Sequence, residues 1–139
     1  SKVRPAPHHL APPRLPPAHL HAPCISLAVF IPIRGNFTRG IFCTMYFKNK
    51  LNIDEIKTLY NNYFKDSNFV HISENPIDLK QVINTNNCII HLKKDGERIL
   101  ITSIIDNLIK GAAGQAIQNM NLMFDLEENL GLKLKSSFF

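Results

Sequence analysis

The 139 residues carry a formal charge of +5 and are 45% hydrophobic, which suits one domain with a core of its own. Lys2, Arg4, Arg14, Arg34, Arg39, Lys48 and Lys50 all precede the first acid, Asp54, after which acids slightly outnumber bases, so the basic excess is a solvated N-terminal arm and not a nucleic-acid patch. Cys24, Cys43 and Cys88 are odd in number and lack metal-ligand spacing; no apolar run reaches the length of a membrane span and no signal-peptide h-region precedes the Pro-rich tract, so a soluble, cytoplasmic, metal-free chain with free thiols is expected.

Residues 1–24 hold seven of the nine prolines and four of the six histidines, His8, His9, His19 and His21. Proline this dense blocks helix and sheet pairing, so a disordered arm is expected there, followed by one folded domain over 25–139. Ile25 to Ile33 is β-branched and apolar and reads as a strand, with Pro32 near its end. Arg34-Gly35-Asn36 is a loop, and Thr38 to Lys48 alternates two partly apolar faces as a strand of a covered sheet would.

Asn52, with Glu55 three residues on, has the spacing of a reciprocal capping box. Ile53, Ile56, Leu59, Tyr60, Tyr63 and Phe64 then form one helical stripe expected to lie on the sheet. Asn68 to Ser73 reads as a short strand, and Pro76 to Asn87 as a polar connection with room for a helical turn near Asp78. Cys88–Lys94 and Glu97–Ile105 read as a hairpin around Asp95-Gly96, which sets Leu92 opposite Ile99, Ile90 opposite Ile101, Cys88 opposite Ser103 and His91 opposite Leu100.

The second hairpin strand runs directly into Asp106-Asn107, after which the period changes. Ala113, Ala116, Ile117, Met120, Met123 and Phe124 recur at helical spacing. Gly111 and Gly114, three apart, leave backbone open to a close neighbour. The polar positions from Gln115 to Asn121 are all amides: Gln115, Gln118, Asn119 and Asn121. A solvated face would carry Lys and Glu; amides suit a surface that is partly dried yet still hydrogen-bonded.

Asp106-Asn107-Leu108-Ile109-Lys110-Gly111-Ala112-Ala113-Gly114-Gln115-Ala116, followed by Gln118-Asn119-Met120-Asn121-Leu122-Met123, resembles the C-terminal signature of the N-acetyl-γ-glutamyl-phosphate reductase family, in the semialdehyde dehydrogenase superfamily. A shorter form of it resembles aspartate-semialdehyde dehydrogenase. Phe30-Ile31-Pro32-Ile33-Arg34-Gly35-Asn36-Phe37-Thr38-Arg39-Gly40-Ile41 resembles the segment leading into the reductase's oligomer-forming strands, and Asp125 to Leu132 its ending. His19-Leu20-His21-Ala22-Pro23-Cys24-Ile25 resembles the family's His-Arg-His-Thr-Pro-Glu-Ile, whose histidine assists the catalytic thiol. Here it lies only a few residues before the Arg-Gly element, and Cys24 replaces the acid.

The resemblance implies an α/β (α+β) fold: a mixed, mostly antiparallel sheet with helices on one face and the other face forming a homo-oligomer interface. It implies NADP and a small acyl phosphate substrate, reduced to an aldehyde through a cysteine thioester. Arg39 and Arg34, flanking a turn, would grip a phosphate or carboxylate; guanidinium suits that bidentate task. Asn107 and Gly111 would face the nicotinamide, with Lys110 beside them. The family's nucleotide fold and nucleophilic cysteine precede everything matched, and the chain has neither a Gly-x-Gly-x-x-Gly nor a Gly-Cys-Tyr, so His21 is the one catalytic candidate and the chain alone is expected to be inactive. The alternative is a non-catalytic oligomerisation or interaction module.

Overall fold

The computed structural model describes residues 28–33 and 35–136; the expected arm over 1–24, with His21 and Cys24, and also Arg34, lie outside the described residues. Its elements are β1 (Val29–Ile33), β2 (Ile41–Lys48), α1 (Ile53–Phe64), β3 (Val70–Ser73), β4 (Cys88–Asp95), β5 (Arg98–Ile105) and α2 (Gly114–Met123). A 3-10 turn over Leu79–Gln81 and a π-helical turn over Ile109–Ala113 complete them. The strands form one sheet in the order β1-β2-β5-β4-β3. Every pairing is antiparallel except β3 with β4, which is parallel, so the sheet is mixed and mostly antiparallel and the fold α+β, as expected.

The hairpin register departs from expectation by two residues. Asp95 pairs with Arg98, Leu92 with Ile101, Ile90 with Ser103, Cys88 with Ile105 and His91 with Thr102. The two-residue loop is Gly96-Glu97, with Gly96 at φ +56° in its first position, where a Gly-X turn needs a positive φ. Because side chains alternate with period two, the shift changes every partner yet leaves each residue on its expected face.

On one face Met45, Phe47, Ile99, Ile101, Ile90, Leu92, Val70 and Ile72 surround Ile56 of α1. Burying Ile56 contributes about 2 kcal/mol. The Asn52–Glu55 capping box forms as expected: Glu55 N–H donates to Asn52 Oδ1 and Asn52 N–H to Glu55 Oε2, stabilising the helix start by about 1 kcal/mol. The α1 stripe is only half covered, however. Ile53, Tyr60 and Phe64 pack on the core, while Leu59 and Tyr63 are exposed. Twelve residues of helix on a twisted sheet touch it along a narrow line, and the stripe is wider than that line.

Ile31 and Ile33 of β1 share the opposite sheet face with Thr44, Thr102 and His91. Both isoleucines are exposed. Pro32, which has no N–H to donate, fits the edge position of β1.

Candidate functional site

The sheet aims β5 at Asp106, whose side chain no longer reaches water. Its Oδ1 accepts from the N–H groups of Leu108 at 2.8 Å and Ile109 at 3.1 Å, capping the helical turn that follows. Arg39 Nη2 lies 3.1 Å from Oδ1 and 3.0 Å from Oδ2. The N–H of Asn84, itself at φ +63°, donates to Oδ2 at 2.7 Å. One carboxylate therefore ties the approach to β2, the 76–87 connection and the entry to α2. Burial pushes its pKa up, but the hydrogen bonds from Asn84, Leu108, Arg39 and Ile109 together outweigh burial and hold it below the ordinary carboxylate range.

The neighbouring residues repeat the stitch. Asn107 Oδ1 accepts the Gly40 N–H at 2.6 Å. Gly40 is at φ +115°, and a Cβ there would also stand 2.9 Å from Leu79 Cδ2, so only glycine fits. Arg39-Gly40 and Asp106-Asn107 thus face each other pairwise at one end of the sheet. Arg39 keeps 27% of its side chain exposed after pairing, and its Nε is buried with no acceptor among the described residues.

Beyond Asn107 the backbone turns with longer hydrogen bonds, Gly111 N–H to Asp106 O at 2.9 Å and Ala113 N–H to Leu108 O at 3.2 Å. Such π-turns are frequent at functional sites. The two glycines serve different ends. At Gly111, which is exposed, an added Cβ would meet nothing nearer than 3.7 Å, whereas Gly114 is buried and pressed against Asn86.

Lys110 turns inward. Its Nζ donates to Gln115 Oε1 at 2.9 Å and Gln118 Oε1 at 2.8 Å, and stands 5.4 Å from the centre of the Phe69 ring. Burial lowers its pKa, opposed in part by Cys88 and Glu128. Asn86 Nδ2 donates to the same Gln118 oxygen, Gln118 Nε2 donates to Glu128 Oε1, and Asn68 Nδ2 donates to Glu128 Oε2. Asn121 Nδ2 donates to the carbonyls of Glu128 and Leu130, holding the segment after α2 in place.

Part of the amide face of α2 is therefore turned inward, with Gln115 half-buried and Asn119 exposed, and its apolar face points outward. Gln118 and Asn121 are buried, while Ile117, Met120, Met123 (79% exposed) and Phe124 (70%) are not. The expected dried, hydrogen-bonded amide surface exists, but the domain's own interior supplies its partners.

Cys43 shows no activation. Cys43 is partly buried, and burial first, then Cys88, pushes its pKa up against the hydrogen bonds of Ser103. Cys88 Sγ lies 3.5 Å from Ser103 Oγ. Of the residues singled out from sequence, the structure brings Arg39, Asn107, Lys110 and Gly111 to one end of the sheet. It adds Asp106, Asn84 and Asn86, which sequence reasoning missed, and draws in Gln118 of the amide face. Only Asp106 had a readable signal, an Asp two and three residues ahead of the first helical N–H groups.

Residues 20–107 match the family model described as semialdehyde dehydrogenase, dimerisation domain. Over 110 residues the chain is 58% identical to an N-acetyl-gamma-glutamyl-phosphate reductase of Bacteroides fragilis and 56% identical to one of Phocaeicola vulgatus, in each case covering 79% of this chain and 34% of the relative. The reductase of Karelsulcia muelleri is 57% identical over 106 residues, 76% of this chain and 33% of its own. The chain thus spans about a third of the length of the curated relatives it matches. Among solved structures, aspartate semialdehyde dehydrogenase II complexed with ASA from Vibrio cholerae aligns over 63% of this chain and 27% of its own, with TM-score 0.48 and 16% identity. On the family match and the identities to the reductases, the chain belongs to the semialdehyde dehydrogenases and carries their dimerisation domain.

Proposed function

We propose that the chain is the C-terminal part of an NADP-dependent reductase that converts N-acetyl-γ-glutamyl phosphate to N-acetylglutamate semialdehyde in arginine biosynthesis. The observation that carries this reading is the pairing of Arg39-Gly40 with Asp106-Asn107, which sets a partly exposed guanidinium beside the start of a glycine-containing helical turn. An acyl phosphate and a nicotinamide must lie side by side, and these two features are side by side. Arg39, with Arg34 before it, would hold the substrate's phosphate or carboxylate. Asn107 would meet the carboxamide, and exposed Gly111 would let the ring approach.

The donor set fits the nicotinamide end of NADP better than its phosphates. The Leu108 and Ile109 N–H groups, at the start of the turn where a pyrophosphate would be cradled, are already taken by Asp106. NADPH, when bound, supplies the hydride; this chain's residues orient the two reactants. Lys110 acts from beneath, fixing the turn through Gln115 and Gln118. The nucleophilic thiol would come from another part of the enzyme, since Cys43 and Cys88 lie within sheet strands and burial raises the pKa of Cys43, with His21 as the candidate for the assisting histidine.

Two surfaces support a larger assembly. The sheet face carrying Ile31, Ile33 and Thr44 would pair with a second copy, in keeping with the matched dimerisation domain. The outward apolar face of α2 would pack on the nucleotide-binding part of the enzyme. No helix among the described residues is long and apolar enough to cross a membrane, and a cytoplasmic location is proposed with the activity.

The test is co-expression with the N-terminal two-thirds of the Bacteroides fragilis reductase, followed by phosphate-dependent reduction of NADP with N-acetylglutamate semialdehyde. Turnover that needs both halves supports the reading. A stable complex that neither binds NADPH nor turns over would leave the chain a non-catalytic oligomerisation module.

A further inference from the structure

Asp106 is the most heavily engaged carboxylate described: fully buried, it accepts from one guanidinium and three backbone N–H groups drawn from three separate stretches of chain. A helix cap alone needs only the Leu108 and Ile109 bonds. The bonds to Arg39 and Asn84 exceed that need and reach residues 67 and 22 positions away. We infer that Asp106 is a positioning residue, which sets Arg39 and Asn107 at a fixed separation so that the substrate's anionic group and the reduced ring are held in register. This rests on the reductase reading above.

The geometry gives each oxygen a distinct task. Oδ1 holds the start of the helical turn, and with it Asn107, while Oδ2 holds the Asn84 N–H. Arg39 Nη2 bridges both oxygens, so the guanidinium cannot shift without disturbing one of the other contacts. Asn107 closes the loop from the other side by accepting the N–H of Gly40, the residue after Arg39. Two independent links between the same two dipeptides suppress both sliding and rotation. Lys110, the other cation near the turn, does not compete with Arg39 for Asp106, since its Nζ donates to Gln115 and Gln118.

The experiment uses the full chain assembled with its nucleotide-binding half. Asp106→Asn keeps the side chain's shape but presents an N–H₂ where an acceptor is required; Arg39→Lys keeps the charge but loses the fork. If the pair works as one device, each single variant lowers kcat/KM by about 100-fold, the scale expected when reactants are misplaced by about 1 Å, and the double variant falls no further than the worse single. In Arg39→Ala, added guanidinium ion restores part of the turnover while Asp106 is present and none when it is Asn. Additive losses, rescue that ignores residue 106, or a lower melting temperature with kcat/KM unchanged would each overturn the inference.

A wild-type assembly without turnover would remove the reductase reading instead, and the coupling is then read from the chain itself. In Arg39→Lys, the Gly40, Asn84, Leu108 and Ile109 amide resonances should move together; a shift confined to Gly40 would overturn the coupling.

Discussion

Gly114 and Asn86 compete for the same space. A Cβ built on the glycine would collide with the Asn86 side-chain oxygen and stand 2.9 Å from both Ile109 Cγ2 and the Ile109 carbonyl. Asn86 cannot easily retreat, because its amide nitrogen donates to buried Gln118. Gly114→Ala should therefore destabilise the domain by about 1–3 kcal/mol, the usual cost of overpacking, even though alanine is the better helix former. Urea unfolding measures it, and unchanged or raised stability would show that Asn86 yields freely.

The inverted polarity of α2 has a direct consequence for mutation. Gln118→Leu, which increases hydrophobicity at a buried position, should cost about 1–3 kcal/mol because it strands Asn86 Nδ2 and Glu128 Oε1 and leaves Lys110 Nζ with Gln115 alone of its two acceptors. Met123→Gln, on the outward face, should leave the stability of the chain within about 0.5 kcal/mol. The opposite order in chemical denaturation would mean that α2 sits with its apolar side inward.

Acid sensitivity follows from Asp106. A carboxyl whose folded pKa lies below its unfolded value of about 3.9 contributes its full stability above that value and loses it as the pH falls toward the folded pKa. Asp106→Asn should lower stability at neutral pH by about 3 kcal/mol, as breaking a buried pair does, and flatten the acid limb of the stability curve below about pH 4. Parallel curves for the two proteins would show that other carboxyls set the limb.

The thiols should be sluggish. With its pKa raised by burial, Cys43 should alkylate with iodoacetamide at pH 7.4 more slowly than free cysteine. Cys43→Ser and Cys88→Ser should each leave turnover of the assembled enzyme intact. Loss of turnover in either would assign a chemical role that its surroundings do not suggest.

Much of the scaffold was legible because it is local. The Asn52–Glu55 box, the Asp78 turn and the period-two strands need only a few neighbouring residues to be recognised. The hairpin partners are not legible in the same way: the Asp-Gly pair reads as the whole loop, whereas Asp95 is the last paired residue and Gly96 opens the turn. In the candidate site, Arg39, Asn107 and Gly111 were legible through motif resemblance alone. The role of Asp106 was not, since its partners Arg39 and Asn84 are 67 and 22 residues away and no spacing rule links them. The direction of α2 was hidden for another reason: periodicity shows that two faces differ but not which one the domain covers, and here a half-buried lysine and carboxylate hold Gln118 inward.

If the exposed start of the helical turn receives the nicotinamide, as proposed, Gly111→Ala is its most direct test. The added methyl meets only ordinary contacts, the nearest at 3.7 Å, so the fold should be unaffected. Fluorescence titration of the assembled enzyme with NADPH should then show affinity lowered by about tenfold, the effect of about 1.4 kcal/mol of steric exclusion at a close approach. An unchanged NADPH affinity in the folded Gly111→Ala protein would contradict the account.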